Sequence, residues 1–197
     1  MKSPVRTKLD YNAPFTLTFC LLAAIIFAVG AITGGLPQQI LFSISSDPNW
    51  ANPLTYLQLL GHVLGHQDFE HLLFNITIIL LIGPMLEEMY GPIFLLILSA
   101  VTALFTGLIM AFFFEGRLLG ASGVAFALIV LSSFANSKSK TIPLTFVFVV
   151  VIFLGNEIYA ALAKQDNIAQ FAHITGGFVG GLFGLFLAKR AESPWRS

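Results

Sequence analysis

Long apolar runs, separated by short polar or Gly/Pro-containing connections, organise this chain. With roughly 20 apolar residues needed per membrane span, the pattern predicts helices near 13–35, 69–88, 92–114, 119–136, 141–163 and 168–189. The second run is the weakest: His71 and Asn75 fall in its first turns, and Glu87 and Glu88 at its end. Its flank still fits, because Gly91-Pro92 punctuates the turn into the third. Short connections between the runs argue for one bundle, so residues 1–197 are read as a single all-α membrane domain of six transmembrane helices.

The connection from about 36 to 68 is the exception to this brevity. It holds Pro37, Pro48, Pro53, Trp50, Tyr56 and mixed polar residues, and is expected to lie partly in the membrane interface with Trp50 and Tyr56 at headgroup depth. The N-terminal basic residues followed by an apolar run resemble a secretory signal. The charge-free stretch from Tyr11 to Ser46 is much longer than the roughly 7 to 15 residues of a signal's apolar region, so it is read as a retained first span plus the start of the loop. No internal repeat or low-complexity tract interrupts the pattern.

Composition fixes the solvent. The 197 residues are 56% hydrophobic and 10% charged, with 20 Phe and a mean hydropathy of +0.85, whereas soluble domains carry about 25% charged residues; most of this surface must face lipid. The net charge is zero and no basic block occurs, which leaves nothing to suggest a nucleic-acid partner. The only cysteine, Cys20, lies in the first run, so no disulfide forms within the chain. Lys2, Arg6 and Lys8 precede the first span, Lys138 and Lys140 join the fourth and fifth, and Lys189, Arg190 and Arg196 follow the sixth. With six spans these eight share one side, which the positive-inside rule makes cytoplasmic, and both termini with it.

One stretch departs from good membrane-helix composition. RLLGASGVAFAL, Arg117 to Leu128, sets a serine between glycines where Leu or Ala would favour the helix. A helix rises about 1.5 Å per residue, so the cytoplasmic charges serve as a ruler. Ser122 stands 16 residues before Lys138, and His173 stands 16 before Lys189. Each therefore comes out about 24 Å from the inner boundary of a core about 30 Å thick. Asn75 comes out at about 18 Å, with His71 about one turn further out. Such groups are costly in lipid and usually face the bundle interior or a water-filled cavity. A nucleophile needs a base in reach and an oxyanion needs donors; Ser122 as nucleophile, His173 as general base, and Asn75 with His71 as oxyanion donors supply those parts. Gly120 and Gly123 remove side chains beside the serine, so backbone N–H groups and neighbouring helices can approach. A serine in the first turn of its helix also sits where unpaired N–H groups favour negative charge.

Taken together, these residues resemble the rhomboid family of intramembrane serine proteases. The match runs over roughly residues 55 to 190: Gly120-Ala121-Ser122-Gly123; Ala172-His173-Ile174-Thr175-Gly176, continued by Gly177, Gly180 and Gly181; His62, His66, then His71-Leu72-Leu73-Phe74-Asn75; and Glu87-Glu88-Met89-Tyr90-Gly91. The resemblance implies a Ser122–His173 dyad, oxyanion help from His71 and Asn75, no cofactor, transmembrane proteins as substrates, lateral entry with span five and the loop at 164–167 as the gate, and a bacterial inner-membrane location. Two positions depart from the pattern. Many relatives carry Trp-Arg in the first loop where Leu57-Gln58 stands, and a tyrosine where Phe126 stands, four residues after Ser122. Ring stacking on the histidine survives the second change, and activity is expected to remain.

Several residues admit other roles. His62 and His66, four apart, could pair on a metal with His71 as a third ligand, but no His-Glu-x-x-His and no suitably spaced carboxylate completes a site, and hydrogen bonding that orders the loop and the top of span two is expected instead. Gly176, Gly180 and Gly184, paralleled by Gly177 and Gly181, form a close-packing face that would bring span six to span four. Glu157, level with Ser122 on the ruler, could orient His173 as a third member or simply face headgroups. Two rival functions are a non-proteolytic protein that binds membrane clients, and a proton or ion relay through His71, Asn75 and His173; the relay lacks a path to the cytoplasm and an inverted repeat. The sequence leaves the oligomeric state open.

Overall fold

The computed structural model describes residues 9–135, 142–152, 155 and 167–190. The basic residues Lys2, Arg6, Lys8, Lys138, Lys140 and Arg196, together with Glu157 and the proposed gate at 164–166, lie outside the described residues.

Pro14 opens α1 (Pro14–Thr33), at a position where its missing N–H leaves nothing unpaired. The next donors are satisfied from another helix: Phe15 N–H donates to Glu87 Oε1 (2.7 Å), and Thr16 donates to Glu87 Oε2 through N–H (2.9 Å) and Oγ1 (2.7 Å). Glu87, buried near the end of α4 (Phe69–Tyr90), is thus the N-terminal cap of α1. Gly83, one turn earlier, makes this approach possible, because a Cβ there would sit 2.7 Å from Thr16 Cγ2. Replacing Glu87 by Ala leaves three donors without their acceptor. It is expected to cost on the order of 3 kcal/mol, read as a lower melting midpoint in detergent; an unchanged midpoint would refute the cap.

Asp68 starts α4 by accepting the His71 N–H at 2.8 Å. Gly91, at φ +86, ends α4, and Pro92 begins α5 (Pro92–Phe113), as the punctuation predicts. The long connection is built rather than slack: α2 (Leu36–Ile40), β1 (Ile44–Ser45), α3 (Pro53–Gly61) and a 3-10 turn at His62–Leu64. Gln58 Nε2 donates to the Ile40 carbonyl (2.8 Å), tying α3 to α2. Antiparallel pairing of β1 with β2 (Arg117–Leu118) then fastens this connection to the stretch preceding Ser122.

The fourth predicted span is shorter than its apolar pattern. α6 runs Ser122–Ser132 rather than 119–136. Gly120 at φ +127 lies outside helical geometry; at the other end, bonds from Ser133, Phe134 and Ala135 N–H to the carbonyls three residues back close α6 in a turn. The residues after Ser132 therefore leave regular α-helical geometry, and the eleven residues of α6 rise about 16 Å. α6 is buried on nearly every face, as expected of a central helix with no polar stripe. Of the fifth predicted span, residues 144–152 are described as helix (α7). The last helix, α8, spans Asn167–Arg190.

α6 packs most extensively on α8, and the glycines set the distance. A Cβ at Gly176 would collide with the Gly123 backbone, 2.8 Å from its Cα; one at Gly180 would lie 2.8 Å from Ala127 Cα; Gly184 takes the Phe134 ring. Gly181 instead meets Val130 and Phe146 at ordinary contact distance, and with Gly177 it borders an apolar crevice. Among the described residues, four helices are long and apolar enough to cross a membrane: Pro14–Thr33, Phe69–Tyr90, Pro92–Phe113 and Ile168–Leu187. Leu21, Ile25, Leu81, Leu96, Phe105 and Phe186 point outward, an exposure that suits lipid and no aqueous surface.

Candidate active site

Ser122 is the first residue of α6, following Ala121. The backbone that delivers it is held by two histidines of the long connection between α1 and α4. The His62 carbonyl accepts the Gly120 N–H at 2.9 Å, and His66 Nε2 accepts the Ala121 N–H at 3.4 Å. His66 Nδ1 faces the Leu64 carbonyl (3.3 Å), which requires the proton on Nδ1 and leaves the Nε2 lone pair for Ala121. His62 Nε2 lies 3.1 Å from the Ala103 carbonyl and 3.3 Å from Thr106 Oγ1, locking the same loop to α5. The two histidines order the loop, as expected, but the loop they order leads into Ser122 as well as into α4.

Both rings are buried outside the membrane-crossing helices, and burial pushes each imidazole from 6.5 down to about 4; for His66 the neighbouring His71 adds to the effect, partly offset by the Leu64 carbonyl and Asp68. The unfolded chain therefore binds more protons than the folded one between these values. Stability from this source is complete above pH 6.5 and is lost as the pH falls from 6.5 through 4, on the order of 3 kcal/mol per histidine. A melting midpoint followed in detergent from pH 7 to 4 should fall through that window; a flat profile contradicts it.

Gly120 also makes room for the next residue. A Cβ at this position would lie 2.7 Å from His71 Nε2, and φ +127 is left to glycine in any case. The glycine predicted to free backbone donors thus serves the His71 ring, while its own N–H is used by His62. His71 stands edge-on to His66 at 5.1 Å between centroids. One turn further along α4, Asn75 is 0% exposed, and among the described residues neither its Oδ1 nor its Nδ2 has a hydrogen-bond partner.

From the other side α8 brings His173, whose ring lies 4.5 Å from that of Phe126 at 39°. The ring contact expected without a tyrosine hydroxyl is present. One cavity of about 380 Å³ collects the residues singled out from sequence: Ser122, His173, Asn75 and His71 all line it. Gly123 and Gly176 lie behind it as the α6–α8 contact. The same cavity is lined by Gln67, Phe74, Arg117 and Ile168, which the sequence reading passed over. Phe74 and Ile168 carry no signal separating them from lipid-facing residues, whereas a polar Gln67 beside His66 and an isolated Arg117 could have been noticed. Chemically, the cavity offers a hydroxyl at a helix N-terminus, two imidazoles and an unpaired amide.

Comparison with known proteins points to the family that the sequence resembles. A family model described as the rhomboid domain matches residues 53–190. The chain is 27% identical over 186 residues to the rhomboid protease GlpG of Yersinia pestis, covering 90% of this chain and 64% of that one. It has the same identity and coverage with rhomboid protease GlpG of Yersinia pseudotuberculosis. With rhomboid protease GlpG of Haemophilus influenzae it shares 26% over 184 residues, 92% of this chain and 94% of that one. The chain spans 64% of the length of the Yersinia relatives.

Proposed function

The chain belongs to the rhomboid family, and from that membership we propose that it is an intramembrane serine endopeptidase using Ser122 and His173 as a dyad. His173 takes the Ser122 proton as Oγ attacks a peptide carbonyl, and returns it to the leaving amine as the acyl-enzyme forms. Water entering the polar cavity then attacks the ester, with His173 again as base, and releases the acid. Asn75, with His71 and the N–H groups at the start of α6, stabilises the oxyanion. The observation that carries this reading is the single cavity lined by Ser122, His173, Asn75 and His71, reached from three different helices. Its test is incubation of the purified chain in lipid vesicles with a panel of single-span substrates. Cleavage of at least one, inside or beside its transmembrane segment, is expected; the absence of any cleavage would leave the client-binding role instead.

We place this activity in a six-span bundle with both termini cytoplasmic, and take the bundle as one domain. The protein is an integral membrane protein, and the bacterial relatives support the inner membrane. Because α6 is too short to span about 30 Å, a water-filled cavity can reach Ser122 from the outer face without crossing the bundle. Substrates are transmembrane segments that unwind locally near that depth, since a closed helix hides its peptide bonds. Entry past span five suits this geometry.

A further inference from the structure

Arg117 is the only Lys or Arg between Lys8 and Lys138. It is exposed at the lip of the catalytic cavity, in β2, a few residues before Ser122. A second cavity, of about 430 Å³, opens on its other side between the end of α1 and the outer connection. Gln67, Arg117 and Leu119 belong to both cavities, so the two adjoin at these residues. The far wall combines apolar Phe27 and Ala31 with Gln38, Gln39 and Ser43. One guanidinium nitrogen, Nη1, is held at 3.4 Å by the Gln39 carbonyl and by Ser43 Oγ. A guanidinium has five N–H donors, and among the described residues no carboxylate pairs with Arg117. Gln38 Oε1 in the same wall is buried and, among the described residues, without a hydrogen-bond partner.

A peptide lying across Ser122 continues on both sides of the scissile bond, at about 3.3 Å per residue when extended. On the side where the two cavities adjoin at Gln67, Arg117 and Leu119, a few residues carry it into the second cavity past the Arg117 guanidinium. We propose that Arg117 reads an acidic side chain of the substrate, so that Asp or Glu at one position near the scissile bond raises kcat/KM. This rests on the proteolytic reading above and adds a substrate class to it. The guanidinium is already oriented by Gln39 and Ser43, so little rotamer freedom is lost when a carboxylate binds it. Lipid phosphate shares the chemistry of a carboxylate, and the experiment separates the two sources.

The test uses the full chain in phosphatidylcholine vesicles and a cleaved single-span substrate carrying Glu, Gln or Lys in turn at each position flanking the scissile bond. At one position the wild type should favour Glu over Gln by about tenfold, with Lys worse than Gln, and the ratio should shrink as salt rises. R117Q should bring the Glu/Gln ratio to about one, and R117K should keep part of it. The ratio is taken within each enzyme, so partial loss of folded protein does not affect it. Equal cleavage of all three series by the wild type overturns the inference while leaving proteolysis intact, as does a Glu preference that persists in R117Q. A rate that responds to added phosphatidylglycerol through Arg117, but not to substrate charge, assigns the arginine to lipid and overturns the inference. Cleavage that persists in Ser122→Ala overturns the reading beneath it.

Discussion

Ser122→Ala is expected to lower peptide-bond cleavage by about 10⁵- to 10⁶-fold, and His173→Ala to lower it about as far. The two act as a unit, because without the imidazole the hydroxyl keeps its proton, and without the hydroxyl the imidazole has nothing to activate. The double variant should therefore be no slower than either single one, a non-additivity that a pair of independent packing residues would not show. Neither substitution should unfold the protein. Ser122 stands at the first position of α6, where alanine is tolerated. The close approach of α6 and α8 is set by Gly123, Ala127, Gly176 and Gly180, so losing the His173–Phe126 ring contact is expected to lower the melting midpoint only modestly. Initial rates on a reconstituted substrate, with the melting midpoint as control, provide the check; additive losses would argue against the dyad.

Asn75→Ala is expected to lower kcat by about 10²- to 10³-fold with KM little changed, as when one oxyanion donor is removed. The accompanying change in stability separates this role from packing. Asn75 is fully buried and, among the described residues, neither amide atom has a hydrogen-bond partner, so alanine breaks no hydrogen bond within the protein. The melting midpoint should hold or rise while activity collapses, the pattern expected where a site is kept at a cost in stability. A parallel fall in both would make Asn75 interhelical glue.

Much of this was readable from the chain. The first, second, third and sixth apolar runs became α1, α4, α5 and α8 within two or so residues, because length and hydropathy are strong signals when lipid is the solvent. The grouping of Ser122, His173, Asn75 and His71 followed from polar residues in apolar runs, and one cavity collects all four. What the pattern hid depended on partners far along the chain. Nothing near Glu87 says that it caps a helix starting at Pro14, and a two-residue strand such as Ile44–Ser45 has no periodicity to read. The end of α6 at Ser132 was masked by continuing apolar residues. Asn52-Pro53 was a local start signal passed over: Asn52 accepts the Leu54 N–H, and Pro53 opens α3. Gly120 was identified as special, but its geometric reason, the His71 ring pressed against it, needed coordinates.

The central claim is that Ser122 is a nucleophile activated by His173 inside the membrane domain. The most direct measurement is labelling of the active, reconstituted protein with a serine-directed fluorophosphonate, followed by mass-spectrometric location of the adduct. The adduct is predicted on Ser122, forming at a rate that falls with cleavage in His173→Ala and absent in Ser122→Ala. An adduct on another serine that tracks activity, or no adduct in a preparation that cleaves its substrate, would contradict the assignment.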